Sequence, residues 1–565
     1  MKKIFILAAL VAACSSCSDF IDQDNRSNVP QADFYNTKAG YTSLINSAYS
    51  SLRTTFGGDP WLFESGTDLY ASGRTAVDKI GLLGAGYDNS VSSVSDFYAD
   101  CYKAIALAND AIYYGNSCQD FAEKAQYIDE ARFLRAFYYL LMVQQFGDVV
   151  LITDHVSSGL PPTARTSAAD VYKFIIDELT DLYGENSHLL DKATGANFGH
   201  ADKRTVAHFL AKAYLTRGYE SYAESSDFQN AKNYADKVIA ASNGLTLPFA
   251  QLMDVDNEQD DEIIFSCIYS KESVADPIND GSKQQAHFCD YLDGQEAGHK
   301  YTSSTLTPTL RMHELFNPSI NGDANDERYA GTFMTTLYNH YWDFYKEDAD
   351  RSKINIFAYY PASWMCADTT AWRNADLEHR KDAYIIPMTE MGWGFNKDKS
   401  ARTYNSYHSK VTDEVYGVAC FRKFDDKNCT GFSMTNSMHD VYIARLAETY
   451  LVAAEAAFKM GDNGAAADYI NKVRTRAKAK LISASDVTID YILDERAREL
   501  AGENVRWMDL KRTGKLKEYA IKYNPDITSE DQYKGVDGQD KILRPIPLSA
   551  IELNSALTQN PGYGK

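Results

Sequence analysis

The chain has 565 residues, with 57 Lys and Arg against 78 Asp and Glu, and a formal net charge of −21 at pH 7. Such an acidic chain is not expected to bind nucleic acid, because phosphates are neutralised by clustered Lys and Arg. The length is ample for a large core and, by itself, favours two or more domains.

The first residues have the pattern of an export signal. Lys2 and Lys3 precede a ten-residue apolar run at 4–13. This run has the length of a secretory signal core and is too short to span a bilayer. We therefore predict that residues 1–16 are a signal peptide that is removed.

A cysteine at the cleavage point resembles the lipobox of bacterial lipoproteins, in which the new N-terminal cysteine is acylated. Both Cys14 and Cys17 fit this pattern. We favour Cys17, because the residues after it, at 18–22, resemble the start of mature surface lipoproteins. A plain signal peptide with incidental cysteines is the alternative. No second apolar run approaches 20 residues, so acyl chains would be the membrane anchor.

The remaining cysteines do not form a recognisable framework. They are Cys101, Cys118, Cys267, Cys289, Cys366, Cys420 and Cys429. An odd number at such wide spacing does not predict a disulfide scaffold, and no pair has zinc-ligand spacing with a histidine. Cys420 and Cys429 could close a short loop, with buried free thiols as the alternative.

Helical periodicity dominates both ends of the chain. Apolar residues recur at helix spacing over 94–147 and 168–242, and alanines alternate with larger residues. The same pattern returns at 440–477, with a bend at 461–464, and resembles a tetratricopeptide unit. We predict a mostly α protein with tetratricopeptide-like helix pairs as its scaffold; ordinary antiparallel helix pairs are the alternative.

Between these regions the helical pattern fades. Residues 246–439 form a loop-rich excursion that is rich in aromatic residues and has β-like stretches at 262–269, 384–388 and 415–424. Long loops are usually functional or disordered, and the density of Trp and Tyr argues against disorder. We therefore divide the mature chain into an N-terminal helical region with an early binding loop, at 17–245, and a C-terminal region, at 246–565. The latter ends in a helical pair and tail at 440–565.

Five segments, in order along the chain, carry a family resemblance. They are 130–152, 442–462, 470–477, 492–514 and 543–563. Each is weak alone, but together with the signal they resemble the SusD/RagB family of outer-membrane nutrient-binding lipoproteins. Gly502 stands where the family often has an aromatic residue, and Asn504 where it often has glycine. Asn tolerates left-handed backbone well, so its change is mild, whereas Gly502 suggests local repacking.

We predict that most of these motifs have a structural role and do not contact a ligand. In 492–514, acidic and basic residues can pair at helical spacing, for example Glu495 with Arg498, while Trp507 and Leu510 would face a core. The prolines near the end predict an extended tail pinned across the body.

The resemblance implies a cell-surface lipoprotein of the outer membrane. It would bind an oligosaccharide or polysaccharide and deliver it to a SusC-like TonB-dependent transporter. A surface glycan-degrading enzyme and a peptide-binding RagB-like lipoprotein are the alternatives.

An enzyme is not supported by motifs. The chain contains no G-x-S-x-G, H-E-x-x-H or phosphate-binding glycine loop. An acidic run at 254–262 is similar to a calcium loop, but Gln259 replaces its glycine and Phe265 its glutamate. We predict no catalytic residue, no cofactor and no metal. A glycosidase needs only two suitably spaced carboxylates, so the sequence does not exclude this class of enzyme.

Sugar binding without chemistry requires aromatic faces and polar groups at their edges. Five of the six tryptophans, Trp61, Trp342, Trp364, Trp372 and Trp393, lie outside the helical signature segments. The predicted ligand-binding residues are Trp61, Asp68, Tyr70, Arg74, Trp364, Trp372, Trp393 and Asn396. We expect Trp364 and Trp372 to form one curved surface, opposed by Trp61 and Tyr70. For each tryptophan, core packing is the alternative.

Overall fold

The structure is a computed structural model of the chain. It describes residues 31–72, 79–84, 86–270, 280–289, 305–320, 322–338, 354–362, 364, 368–385, 388, 395–396, 414–415, 419, 421–429 and 436–564. The predicted signal peptide, Cys14 and Cys17 lie outside these residues, as do Arg74, Trp342 and Trp393.

Helices form most of the described chain. Those of the first half are α1 (Gln31–Tyr35), α2 (Lys38–Phe56), α3 (Trp61–Glu64), α4 (Lys79–Leu82), α5 (Ser92–Ser117), α6 (Lys124–Phe146), α7 (Ala168–Tyr183), α8 (Lys203–Arg217) and α9 (Asp227–Ala240). Those of the second half are α10 (Phe249–Leu252), α11 (Gln284–Phe288), α12 (Leu310–Glu314), α13 (Arg328–Thr332), α14 (Thr369–Asn374), α15 (Leu377–Arg380), α16 (Leu446–Lys459), α17 (Asn463–Arg476), α18 (Ile489–Leu500), α19 (Arg506–Arg512), α20 (Leu516–Tyr523) and α21 (Leu548–Leu553). Single 3₁₀ turns lie at Gly195–Asn197, Val255–Asn257, Ala484–Asp486 and Glu530–Gln532.

The strands are few and short. They are β1 (Tyr70–Ser72), β2 (Ile263–Cys267), β3 (Leu306–Pro308), β4 (Thr336–Tyr338), β5 (Ile356–Tyr359), β6 (Tyr384–Ile385), β7 (Phe395–Asn396), β8 (Glu414–Val415) and β9 (Val441–Arg445). β1 pairs with β3, β2 with β9 and β7 with β8, all antiparallel. β5 pairs antiparallel with β4 and parallel with β6. The predicted fold class, mostly α with short strands, is confirmed.

The helix pairs pack through the small residues that the sequence singled out. Ala211 of α8, Ala231 and Ala235 of α9, and Ala453 and Ala456 of α16 are completely buried in one cluster. Alanine lets helix backbones approach closely, so the predicted pairs at 168–242 and 440–477 join into one layer. The bend between α16 and α17 contains Gly461 with φ of 83°, and the Asp462 side chain caps α17 by accepting from the Ala465 N–H at 3.0 Å.

The two largest hydrophobic cores of the described residues both include residues of the early loop. The larger core runs through the helical layers and includes residues from both sides of the predicted boundary at 245/246. The second core, named here the loop core, combines the early loop with the loop-rich excursion and α18. Its members include Leu69, Tyr70, Phe288, Phe333 and Phe421.

A buried ionic network fixes the excursion to the helices. Arg328 of α13 contacts Glu495 at 2.8 Å and Glu499 at 3.0 Å, and Arg445 of β9 contacts Glu262 at 2.9 Å. Burial opposes ionisation of Glu495 and Glu499, but the surrounding arginines hold both pKa values well below the ordinary range. The predicted scaffold role of this stretch agrees with these contacts, and Trp507 and Leu510 are completely buried.

Two departures from the family pattern are explained by the backbone. Asn504 has φ of 60°, the left-handed conformation that Asn was expected to tolerate. Gly502 has φ of 75°, and a Cβ there would lie 2.5 Å from the Phe424 ring. Phe424 therefore occupies the space beside residue 502, which is the expected local repacking.

The C-terminal tail lies across the helical body. The Arg544 N–H donates to the Gln145 carbonyl at 2.8 Å, and Asn560 donates to the Phe146 carbonyl at 2.8 Å. Within the described ranges, every helix is too short or too polar to cross a bilayer.

Candidate functional site

The early loop places Trp61 in a surface cleft. α2 ends at Phe56, and Pro60 leads the chain into the short helix α3, whose first residue is Trp61. The cleft has a volume of about 320 Å³ and lies between α2, α3, α5 and the residue before α11. Trp61 is half-buried, with its inner side packed against both cores. We name this feature the Trp61 cleft.

Charged groups line one side of the Trp61 cleft. Asp59 Oδ1 accepts from Lys283 Nζ at 3.0 Å and from His287 Nε2 at 3.0 Å. The hydrogen bond from His287, together with the positive charge of Lys283, holds the pKa of Asp59 well below its ordinary range. The imidazole of His287 also meets the Trp61 ring edge-on at 4.9 Å. Asp59 is thus ionised and fixed beside the indole.

The other side of the cleft is formed by α5. Asp96 and Asp100 lie one helical turn apart and line the cleft with Ser93 and Phe97. Burial, with a contribution from Asp96, raises the pKa of Asp100. The cleft therefore offers an aromatic ring, carboxylate acceptors and the ammonium donor of Lys283, which are the groups that bind the apolar face and the hydroxyls of a sugar.

Trp372 and Trp364 lie at the edge of the loop-rich excursion. The Trp372 ring stacks on Tyr359 of β5, with 4.2 Å between centroids and 4° between planes. The Arg380 guanidinium lies 4.7 Å from the same indole centroid. Trp364 contacts Tyr329 edge-on at 5.4 Å and packs against the loop core. Both tryptophans are half-buried.

Two predicted ligand contacts are corrected by the structure. Asp68 is completely buried and is bound by Arg506. Tyr70 is 1% exposed, and its ring packs edge-on against Phe288 at 5.3 Å and Phe421 at 5.8 Å. Pairing of β1 with β3 draws this part of the early loop into the loop core. Neither side chain is accessible to a ligand, and Tyr70 does not oppose Trp364 across a surface.

The remaining predicted residues are not tested. Arg74 and Trp393 lie outside the described residues, and Asn396 is described only as part of β7. Their roles, and that of the predicted curved surface of Trp364 and Trp372, stay predictions.

Sequence reasoning missed most of the polar residues around Trp61. The sequence contains a signal for Asp59, because this residue stands two positions before Trp61 in a turn-rich segment. Lys283 and His287 are spaced by four residues, so they share one face of a helical turn. Only the fold brings them to Asp59, 224 and 228 residues away.

Comparison with known proteins identifies the family. Residues 261–563 match the family model described as the SusD family, and residues 19–222 match a model described as "Starch-binding associating with outer membrane". The first model spans more than half of the chain, so the chain belongs to the SusD family, whose members are binding proteins.

Named relatives and solved structures are similar over most of their length. SusD-like protein P25 of Formosa agariphila is 24% identical, covering 100% of this chain and 99% of the relative. The starch-binding protein SusD of Bacteroides thetaiotaomicron is 25% identical, covering 78% of this chain and 74% of the relative. The structure of a laminarin-binding SusD-like protein superposes with a TM-score of 0.65 at 19% identity, covering 93% of this chain and 100% of that one.

Proposed function

We propose that this chain is a cell-surface lipoprotein of the outer membrane that binds a neutral glucan at the Trp61 cleft. The observation that carries the proposal is the placement of the Trp61 ring beside fixed carboxylate and ammonium groups. Membership of the SusD family and the similarity to starch-binding and laminarin-binding proteins support this class of ligand.

The charge of the cleft favours a neutral polysaccharide. Lys283 and His287 are both engaged by Asp59, while Asp96 and Asp100 add negative charge to the opposite wall. The whole chain is also strongly acidic. A uronate-rich or sulfated chain would be repelled by this surface, whereas glucan hydroxyls can donate to the carboxylates.

Affinity electrophoresis in gels that contain starch, laminarin or alginate tests the proposal. We expect at least one of the two glucans to retard the protein, and the anionic alginate to leave its mobility unchanged. Trp61→Ala should abolish the retardation. Tyr113→Ala is the matched control, because Tyr113 is an aromatic residue that is 52% exposed and does not line the cleft. Unchanged mobility of Trp61→Ala would overturn the assigned site.

The same preparation separates the alternative functions. Sustained release of reducing ends from either glucan would show that the protein is a glycan-degrading enzyme and would overturn its assignment as a binding protein. Retardation by no glycan would shift the assignment to a peptide-binding RagB-like lipoprotein.

We further propose that Cys17 carries the lipid and that the bound glucan passes to a SusC-like TonB-dependent transporter. The lipobox-like sequence and the family membership support this arrangement. Intact mass of the mature N-terminal peptide distinguishes Cys17 from Cys14. Copurification of a SusC-like transporter from detergent-solubilised outer membranes tests the partnership.

A further inference from the structure

A second cleft lies on another side of α2 from the Trp61 cleft. It has a volume of about 380 Å³ and is formed by α2, the turn before α8 and the end of β2. Its lining includes Asn46, Ser50, Phe198, His200 and Ser266. We propose that this second cleft binds a neutral saccharide unit, independently of Trp61.

Ser266 provides an unsatisfied buried hydroxyl at the base of the second cleft. Its side chain is 1% exposed, and its Oγ makes no hydrogen bond to any described residue. Leaving a buried polar group unpaired is unfavourable. A ligand hydroxyl that reaches Ser266 can either donate to its Oγ or accept from its O–H.

The charged residues of the second cleft are already engaged. His200 Nδ1 pairs with Glu130 Oε2 at 2.8 Å, and Arg53 donates from Nε at 3.1 Å and from Nη2 at 2.9 Å to the Ile268 carbonyl. The exposed polar groups of the second cleft are therefore the Asn46 amide and the Ser50 hydroxyl, while the Ser266 hydroxyl is buried. Amide and hydroxyl groups form hydrogen bonds with neutral sugar hydroxyls.

An aromatic residue, Phe198, also lines the second cleft. Phe198 is half-buried and follows the 3₁₀ turn at Gly195–Asn197. Gly199 has φ of 88°, and a Cβ there would lie 2.5 Å from Ile268. Glycine thus allows the turn to approach β2 closely. An aromatic ring that lines the same cleft as amide and hydroxyl groups suits one or two sugar units.

The second cleft and the Trp61 cleft are linked along α2. A smaller depression of about 290 Å³ lies between them and shares Ser50 with the second cleft and Thr54 and Asp100 with the Trp61 cleft. Asn46 of the second cleft and Thr55 of the Trp61 cleft are nine residues apart on α2, or roughly 14 Å at helical rise. One glucan chain of several units could therefore occupy both clefts.

Isothermal titration calorimetry with maltotriose and laminaritriose tests the second cleft. We expect the wild-type protein to bind two equivalents of one trisaccharide. The Trp61→Ala variant and the Asn46→Ala/Ser50→Ala double variant should each bind one. Ser43→Ala, an exposed serine of α2 outside the cleft, should keep both equivalents. A single equivalent for the wild-type protein, or two for the double variant, overturns the proposal.

Two further measurements distinguish binding at the second cleft from binding at the Trp61 cleft. The Ser266→Ala variant should weaken one equivalent at least fivefold, and the exposed Asn46 and Ser50 variants carry the test if Ser266→Ala does not fold. A heptasaccharide should bind about tenfold tighter than the trisaccharide, because the second contact becomes intramolecular, and either cleft variant should lose this gain. Loss of an equivalent only in the double variant overturns the Trp61 assignment and supports the second cleft. No binding of either trisaccharide overturns both glucan sites.

Discussion

Arg506 and Asp68 are 438 residues apart in the chain and form a two-bond ion pair in the interior. Arg506 Nε lies 2.8 Å from Asp68 Oδ1, and Nη2 lies 2.7 Å from Oδ2. The side chain of Arg506 is 3% exposed and that of Asp68 is 0% exposed. This pair ties the early loop, which carries Trp61, to the N-terminus of α19. The geometry of the Trp61 cleft therefore depends on the C-terminal family motif.

Substitution of Asp68 should destabilise the protein. Asp68→Asn leaves the Arg506 charge buried without its partner, and breaking a buried pair in this way typically costs about 3–5 kcal/mol. Urea denaturation followed by circular dichroism measures the loss. Asp120→Asn is the control, because the Asp120 side chain is 99% exposed and its substitution should leave stability unchanged. An Asp68→Asn variant of normal stability with weakened glucan binding would restore Asp68 as a ligand residue.

Glu64 should make stability depend on pH. It lies at the end of α3, is 1% exposed, and burial raises its pKa from 4.5 to about 8. The group releases its proton more easily in the unfolded chain, so its contribution is fully present below about pH 4.5 and is lost as the pH rises through 8. Glu64→Gln cannot ionise, and we expect it to gain about 3 kcal/mol over the wild type near pH 7 and little at pH 4.5.

Denaturation midpoints measured between pH 4.5 and 8.5 test the Glu64 prediction. Glu123→Gln, at a half-exposed position on the surface, should show no comparable pH-dependent gain. A Glu64→Gln variant with a constant difference from the wild type across this range would contradict the assigned cause.

Arg544 should hold the tail and the Trp61 loop together. Its guanidinium lies 3.3 Å from the centroid of the Trp507 ring and donates to the Leu62 carbonyl at 2.9 Å. Lysine retains the charge, but its ammonium group is not planar. It cannot stack on the Trp507 ring and donate to the Leu62 carbonyl at the same time, as the guanidinium does. We expect Arg544→Lys to cost about 2–4 kcal/mol of stability and to weaken glucan binding, because Leu62 is next to Trp61.

Thermal unfolding and affinity electrophoresis check the Arg544 prediction. Arg422→Lys, at an exposed arginine, is the matched control and should change neither measurement. Normal stability of Arg544→Lys would show that the stacked geometry contributes little.

Trp372 tests the second part of the predicted binding surface. Because Tyr359 stacks on one face of the indole and the Arg380 guanidinium lies 4.7 Å from its centroid, a sugar can contact only the part of the ring that remains exposed. We expect Trp372→Ala to reduce retardation by the glucan partly and Trp61→Ala to abolish it. Wild-type mobility of Trp372→Ala would assign Trp372 to packing alone, and the same comparison with Trp364→Ala tests its neighbour.

Local features of the chain were predictable from the sequence because they depend on neighbours along it. The helix pairs follow from apolar periodicity and alanine spacing, the bend at Gly461 from glycine, and the left-handed residue Asn504 from a side chain that tolerates it. The pattern at 94–147 predicted helix correctly but not its division into α5 and α6. The five motifs were sufficient to identify the family. A turn rich in glycine predicted an accessible Trp61, which lines a cleft, and its role in binding stays a prediction.

Only the tertiary structure decided which polar and aromatic residues are accessible. Trp61, Asp68 and Tyr70 belong to one short segment of the sequence. Asp68 and Tyr70 are buried, whereas Trp61 lines a cleft. The difference arises from contacts with Arg506 and Phe421, which are more than 300 residues away in the sequence. Likewise, Asp59 meets His287 and Ser266 meets α2 only after folding. Burial is a property of the packed chain, so residue type alone could not assign these roles.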